Sequence, residues 1–322
     1  MPEMIARANV QTLLPESVRN QIVERAPANS VVMSLAQRLA DVPSDKQRVK
    51  VLDLLPQAYF VNGETGLKQT TGMAYKDAFL NIEEIAAIVP LPEATVRDLE
   101  SNGYNLETLA VPKVAEAFGK LFDQAVLDNV NRPASWPEGL ITQCALKSKV
   151  VDLSAVVGAG NDVYDAYLSE GGAFSMVEEA GYEVNGVVAS TKMRARLRAL
   201  RDENKQPIFK SIAREGVQGT TSYELDGVPL TFRRNVKGSE VGDLLSIHGD
   251  WSMLMWAMNQ DITIKVCTEG VIQDHNGNII YNLLQQDMVA LRFVMRIGWV
   301  LPIPVSIEAA TADNFPFSTL VA

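Results

Sequence analysis

Two strand patterns, separated by a turn, lie between residues 261 and 300. In Asp261–Val266 apolar residues occupy every second position, which is typical of a strand with one buried face. A more continuously apolar run follows at Gln285–Val300 and carries Arg292 and Arg296, four residues apart. We interpret this run as the final long strand of the same region. The fold must therefore contain a sheet near its C-terminal end.

Helical and extended patterns are mixed along the rest of the chain. A helix is predicted after Asn102-Gly103 and runs to about Asn129, because apolar residues recur there on one helical face. These residues are Val114, Phe118, Leu121, Phe122 and Ala125. Short strands are predicted at Val51–Leu55 and Ile85–Pro90, and a hairpin at Tyr223–Phe232 with its turn at Asp226-Gly227. Without a regular βαβ alternation, this mixture favours an α+β fold.

The composition is that of a globular protein without an obvious nucleic-acid interface. Of the 322 residues 47% are hydrophobic and 21% are charged, and the formal net charge is −10. Nucleic-acid affinity is dominated by cations that meet phosphates, so this charge argues against direct binding, although it allows the protein to enclose nucleic acid. No apolar run reaches the roughly 18 residues of a membrane span. The N-terminus has no signal-peptide core, so we expect a soluble protein made in a cytoplasm.

No group of residues has the spacing of an active site. Gly158-Ala-Gly160 lacks the later glycine of a dinucleotide-binding loop, since Val163 stands there. Cys144 and Cys267 have no metal-site or disulfide-framework spacing, and we expect buried thiols. For His248 and His275 we expect a turn or supporting role. We therefore expect no catalytic, metal-binding or cofactor-binding residue, no cofactor and no enzymatic activity.

Residues 49–80 predict an extended hairpin with little apolar surface of its own. Asn62-Gly63 is a strong tight-turn dipeptide, and the return limb carries Lys68, Gln69 and Thr70. A two-stranded hairpin alone is marginally stable in water. The segment is either an ordinary surface hairpin or an element that lies on a neighbouring subunit.

A basic helix is predicted at Thr191–Asp202. Its apolar face contains Met193, Leu197 and Leu200, and its basic residues are Lys192, Arg194, Arg196, Arg198 and Arg201. These cations could form a nucleic-acid patch, a solvated face, or a face that pairs with acidic residues of a neighbouring copy. We favour the last two explanations over the first.

Several short motifs, taken in order, resemble a known family. They are Leu91-Pro-Glu-Ala-Thr-Val-Arg-Asp98, Gly186-Val-Val-Ala-Ser-Thr191, Leu225-Asp-Gly-Val-Pro-Leu230 and Gly249-Asp-Trp-Ser252, followed by the Asp261 and Arg292 strands. From about residue 49 to 312 the chain resembles the major capsid proteins of tailed double-stranded-DNA bacteriophages, which have the Hong Kong 97-type fold.

The resemblance implies a particular domain organisation. Residues 1–48 would form an N-terminal arm and residues 49–80 the extended hairpin. Residues 81–132 and 255–297 would form a peripheral domain with a long spine helix. Residues 133–254 and 298–322 would form an axial domain at the capsomer centre.

The resemblance also implies a function and partners. Copies would assemble into hexamers and pentamers that close into an icosahedral shell in the virion, around double-stranded DNA and without sequence-specific binding. A portal, and separate scaffolding or decoration proteins, are further expected partners, with assembly in the host cytoplasm and no membrane. Asn62, Gly63, Lys68, Gln69, Thr70, Arg194 and Arg198 are our candidates for the interfaces between copies.

The chain departs from the type member of the family at the residues used for covalent cross-linking. Lys68 lies in the hairpin, but Met288-Val-Ala-Leu291, before Arg292, contains no glutamate. We therefore predict that subunits are not cross-linked. The alternative functions are an encapsulin-type compartment that encloses a cargo enzyme, and a free-standing enzyme.

Overall fold

Helices and strands alternate irregularly in space as well as in sequence, so the predicted α+β class is confirmed. The computed structural model describes residues 30–56, 58, 60–61, 68, 70–101, 106–158, 162–201, 204, 206, 209, 211–213, 221–233, 243–259, 263–274, 276–304 and 314–322. The helices in these ranges are α1 (Val31–Leu35), α2 (Glu93–Ser101), α3 (Leu106–Asp128), α4 (Leu140–Leu146), α5 (Leu153–Gly158), α6 (Asp165–Leu168), α7 (Ala173–Glu178) and α8 (Thr191–Ala199). The strands are β1 (Gln37–Arg38), β2 (Lys46–Leu54), β3 (Ala74–Pro92), β4 (Val150–Asp152), β5 (Gly186–Ser190), β6 (Ser211–Ala213), β7 (Thr221–Leu225), β8 (Val228–Arg233), β9 (Leu244–Gly249), β10 (Met255–Met258), β11 (Thr263–Cys267), β12 (Val271–Gln273), β13 (Ile279–Asn282), β14 (Met288–Val300) and β15 (Phe317–Val321).

The first sheet is built on the two strand patterns that the sequence indicated. Its order is β1-β10-β14-β3-β2, and β11 also pairs with β14. β14 and β3 are antiparallel, from Met288 opposite Pro92 to Trp299 opposite Asn81. The predicted short strand Ile85–Pro90 is therefore wrong in extent, because it is one part of the 19-residue β3. The more polar first half of β3 remains a strand because β2 pairs with it.

The long helix α3 packs on the inner face of this sheet. Leu291, Phe293 and Met295, on one face of β14, are in the same buried cluster as the α3 side chains. Val114, Phe118, Phe122 and Ala125 are buried and Leu121 is partly buried, so the predicted apolar stripe is confirmed. Pro112 lies within α3, near its beginning.

A buried carboxylate fixes α1 to α3. Asp123 accepts hydrogen bonds from the Ser30 hydroxyl, the Val31 amide (2.9 Å) and the Val32 amide (3.1 Å). The Ser30 hydroxyl in turn accepts from the Met33 amide and caps the helix. The structure describes the predicted arm from Ser30 onwards, and the first residues of this part pack in the hydrophobic core of their own chain.

The second sheet has the order β4-β15-β9-β5-β8-β7-β6. The predicted hairpin at its far edge is confirmed as β7 and β8, with positive φ at Asp226 and Gly227. One face carries Val188, Ile247 and Phe317, which join the core of the first sheet. The opposite face is covered by α6, α7 and α8, which contribute Tyr167, Phe174, Val177, Met193 and Leu197 to a second core.

Helix α8 is shorter than predicted. It ends at Ala199 because Leu200 has an extended backbone conformation. Among the helices that the structure describes, none combines the length and the hydrophobicity needed to cross a membrane.

Candidate assembly surfaces

The base of the extended hairpin is an edge of the first sheet. Among the described strands β2 is the last of that sheet, and it pairs with β3 from Lys46 opposite Asn81 to Leu54 opposite Ala74. Ion pairs join the two strands on the exposed surface, between Arg48 and Asp77 (3.4 Å) and between Lys76 and Asp53 (3.3 Å). Because both pairs are solvated, each contributes little to stability.

Large apolar side chains are exposed towards the tip of this hairpin. Leu54, Met73 and Tyr75 are each more than half exposed, and Phe60 has no cover from its own chain. In the return limb of the predicted hairpin, the described residues 68 and 70–73 are not in a strand, and β3 begins at Ala74. Several large exposed apolar side chains are typical of an interaction surface.

The predicted hairpin residues are only partly described. Lys68 and Thr70 are exposed, while Asn62, Gly63 and Gln69 lie outside the described residues. Their role at an interface between copies remains a prediction.

A second apolar hairpin was not predicted from the sequence. β12 and β13 form a separate two-stranded sheet. Its turn is held by the carboxylate of Asp274, which accepts hydrogen bonds from the Asn276 and Asn278 amides. Val271, Ile279, Ile280 and Leu284 are exposed, Leu284 to 70%. In the sequence, the Asn276-Gly277 dipeptide indicates the turn. The alternation of apolar and polar residues on either side of it is too short to predict the strands.

The basic residues of α8 have different surroundings. The Arg194 guanidinium lies 4.9 Å from the ring centre of Tyr223 and 5.5 Å from that of Phe232, and it donates a hydrogen bond to the Tyr223 hydroxyl. The Lys192 ammonium pairs with Asp243 at 2.6 Å. Arg198 is exposed. Of the two predicted interface arginines, Arg198 faces solvent and Arg194 packs largely against its own chain.

His248 lies in the buried strand β9, so the alternative of a turn role is wrong. Its ring is in edge contact with Tyr167 (5.0 Å between ring centres), and Nδ1 is 3.4 Å from the Ser318 hydroxyl. Burial lowers the pKa of His248 to about 3, so the imidazole is neutral. His275 lies outside the described residues.

The two thiols differ in burial. Cys144 is fully buried, as expected, and burial strongly raises its pKa, while Cys267 is only partly buried. In the described ranges, no three His, Cys, Asp or Glu side chains are grouped so that they could hold a metal ion.

Comparison with known proteins decides the family. The model of the phage capsid family matches residues 11–311. The chain belongs to the phage capsid family. It is a capsid protein, a structural component of a bacteriophage head.

Two curated relatives of this capsid protein are major capsid proteins. That of Staphylococcus phage 80alpha is 26% identical over 284 residues, which cover 86% of this chain and 78% of the relative. That of Klebsiella oxytoca phage phiKO2 is 20% identical over 229 residues, covering 71% of this chain and 52% of the relative. Both favour a phage capsid over the encapsulin alternative.

Solved structures with the same fold cover nearly all of the capsid protein. A chain from Microbacterium phage Oxtober96 has a TM-score of 0.73 and 26% identity, with 99% of both chains covered. One from Mycobacterium phage Adephagia has a TM-score of 0.70 and 27% identity, with 99% of this chain and 98% of that chain covered. The capsid of a native GTA particle has a TM-score of 0.62 at 15% identity, covers 91% of each chain, and indicates the shared fold alone.

Proposed function

We propose that this capsid protein is the major capsid protein of a tailed phage, and that its copies form hexamers and pentamers that close into an icosahedral shell around double-stranded DNA. The match to the family over residues 11–311 carries this proposal. Two exposed apolar hairpins support it, because a monomer would leave their side chains in water.

The proposed organisation follows the Hong Kong 97-type fold. Residues 1–48 form the arm and 49–80 the extended hairpin, 81–132 and 255–297 the peripheral domain, and 133–254 and 298–322 the axial domain. The length of α3 and its packing on β14 support its assignment as the spine helix. The second sheet supports an axial domain with its own core.

We propose that the assembly-interface residues include Asn62, Gly63, Lys68, Gln69, Thr70, Arg194 and Arg198. The exposure of Lys68, Thr70 and Arg198 supports this role. For Arg194, whose guanidinium stacks on two aromatic rings, the role would be to hold the edge of the second sheet that a neighbour contacts.

The partners of the shell are also part of the proposal. A portal and separate scaffolding or decoration proteins would join the copies of this chain, with assembly in the host cytoplasm and no enzymatic activity. The formal charge of −10 supports a wall that repels the enclosed DNA instead of binding it.

Negative-stain microscopy of the purified protein tests this function. We expect closed isometric particles from the protein itself, and DNA-filled heads with tails from infected cells. Particles that enclose a cargo enzyme and no DNA would support an encapsulin instead. A stable monomer with no particles under any assembly condition would contradict the proposal.

A further inference from the structure

Asparagine is followed by glycine at four places in the sequence, which are Asn62, Asn102, Asn185 and Asn276. In such a dipeptide the glycine amide nitrogen can attack the side-chain carbonyl carbon of the asparagine, because glycine has no side chain to obstruct the approach. Two of the four dipeptides, at Asn185 and Asn276, lie within the described residues. The fold places these two in different surroundings, so the structure distinguishes sites that look alike in the sequence.

The side-chain amide of Asn185 is held at both of its ends. Its Nδ2 donates to the Asp250 carboxylate at 2.6 Å, and its Oδ1 accepts from the Trp251 amide at 2.9 Å. Gly186 is buried at the start of β5, between β8 and β9, and its carbonyl accepts from the Trp251 indole at 3.0 Å. Attack by the Gly186 nitrogen would require this part of the second sheet to open. Core strands open at a free-energy cost close to that of global unfolding.

Asn276 and Gly277 lie in the exposed turn between β12 and β13. The Asn276 backbone amide donates to the Asp274 carboxylate at 2.9 Å, but within the described ranges no hydrogen bond holds the Asn276 side chain. Gly277 has a φ of 83°, and no described atom lies within 4 Å of the position that a Cβ on it would take. The side chain of Asn276 is therefore free to turn towards the Gly277 nitrogen.

The turn at Asn276 can open without unfolding either core. The Gly277 amide donates to the Asp274 carbonyl at 3.1 Å, and this exposed hydrogen bond must break before the nitrogen attacks. β12 and β13 form a sheet of two strands, with an irregular register at Ile272 and Gln273. A two-stranded hairpin is marginally stable in water, and such segments open at a low free-energy cost.

We propose that Asn276 is a deamidation site of the folded subunit, with water as the co-reactant. The Gly277 nitrogen forms a bond to Cγ of Asn276, the Cγ–Nδ2 bond breaks, and ammonia leaves with the proton that the Gly277 nitrogen gives up. The product is a five-membered succinimide ring. Water then adds to one of the two ring carbonyl carbons and breaks its bond to nitrogen, which leaves aspartate or isoaspartate at this position. No group is oxidised or reduced.

Deamidation of Asn276 changes both the charge and the backbone of this turn. The new carboxylate lies next to that of Asp274, which already accepts from the Asn276 and Asn278 amides. Isoaspartate also adds a methylene group to the backbone between the hydrogen bonds that close the hairpin. The reaction therefore alters one of the two apolar hairpins proposed for assembly, although the site itself requires only the folded subunit and does not rest on the proposed function.

Peptide mass spectrometry of the purified, unassembled subunit, incubated at mildly alkaline pH, tests this site. Trypsin places Asn276 in the peptide 266–292 and Asn185 in the peptide 150–192. We expect Asn276 to be converted at least about tenfold faster than Asn185, because the turn opens far more often than the core strand. Asn278, in the same peptide as Asn276, is an internal control that should stay unchanged, since the branched Ile279 side chain obstructs the attack.

The same subunit unfolded in guanidinium chloride is the matched control. Both dipeptides lose the protection of the fold there, so Asn185 and Asn276 should be converted at similar rates. Asn276→Gln should abolish the conversion at this position, because attack on the longer side chain would have to close a six-membered ring. Circular dichroism and thermal melting check that this variant is folded.

Equal rates for Asn185 and Asn276 in the folded subunit would overturn the inference. So would a folded subunit in which Asn276 stays unchanged while the unfolded chain is converted. Either result leaves the capsid function intact, and a failure to form particles would count against the proposed function alone.

Discussion

At the scale of single residues, Asp123 determines how the first described segment is held. Asp123 is only 4% exposed, and its carboxylate accepts hydrogen bonds from the Ser30 side chain and two α1 amides. Replacing it with alanine leaves these buried donors without an acceptor, which costs about 1–3 kcal/mol for each group. We expect Asp123→Ala to lower the free energy of unfolding of the free subunit by about 3 kcal/mol in a urea titration.

The matched control for this change is Glu116→Ala on the exposed side of α3. Glu116 makes only a solvated pair with Lys113, so we expect a change within about 0.5 kcal/mol. Asp123→Asn keeps one acceptor oxygen and should lie between the two. Equal stabilities for the Asp123→Ala and Glu116→Ala subunits would show that the carboxylate does not hold α1.

His248 makes the stability of the subunit depend on pH. Its folded pKa is about 3, below the ordinary value of 6.5, because the ring is buried, in contact with Tyr167 and Phe174. Between pH 3 and pH 6.5, His248 is protonated in the unfolded chain but neutral in the folded subunit. The stabilisation from a neutral His248 is therefore complete above pH 6.5 and declines as the pH falls towards 3, by up to about 1.4 kcal/mol per pH unit.

His248→Phe removes this titration while it keeps an aromatic ring in the site. Urea titrations of both proteins between pH 7 and pH 4 should give a less steep loss of stability for the variant. Parallel curves would mean that the burial of His248 does not contribute to the acid sensitivity.

At the scale of elements, the extended hairpin should serve assembly and not folding. We expect a subunit in which residues 55–73 are replaced by a short Gly-Ser linker to fold, because the β2–β3 ladder and both cores remain. Its circular dichroism should be near that of the unchanged subunit. It should form no closed shells, because the exposed Phe60 and Met73 that we assign to a neighbour's surface are gone. Normal particles from this variant would make the hairpin a passive surface feature.

The elements that the sequence predicted well are those with a local periodic signal. The α3 stripe and the alternation in β11 follow directly from spacing, because burial of one face imposes the period. The Asp226-Gly227 turn follows from two residues that tolerate positive φ. The sequence placed Arg194 and Arg198, the two arginines proposed for the interface, on one helix. It did not indicate that Arg198 is exposed while Arg194 packs against its own chain.

The elements that the sequence did not predict depend on distant partners. The first half of β3 is polar and becomes a strand through pairing with β2, a contact that no local pattern reports. The capping carboxylate of α1 lies 92 residues beyond Val31. The contact of Arg194 with Tyr223 and Phe232 could not be predicted, because these rings come close to it only when the strands of the second sheet are in their folded order.

At the scale of the whole molecule, assembled subunits should be held without covalent bonds. The strand before Arg292 contains no carboxylate, and its neighbours opposite Ala290 and Leu291 are Pro90 and Val89 on β3, and Cys267 and Val266 on β11. Among these described strand positions none carries an acidic side chain that could promote reaction of a lysine from another copy. Mature particles boiled in denaturant should run as one band near 35.2 kDa. A ladder of multimers would contradict this prediction.

The position of β15 links the completion of the fold to protein synthesis. β15 lies between β4 and β9 in the second sheet. It is also the last strand of that sheet to be synthesised, so residues 317–321 complete the sheet. A nascent chain that ends before Phe317 lacks β15, and the edges of β4 and β9 that pair with this strand stay open. We expect ribosome-bound chains stalled before residue 317 to be cleaved rapidly by protease within residues 133–254, and chains that contain β15 outside the ribosome to resist. Equal resistance would contradict this order. Translation would thus withhold subunits from the growing shell until β15 has been made.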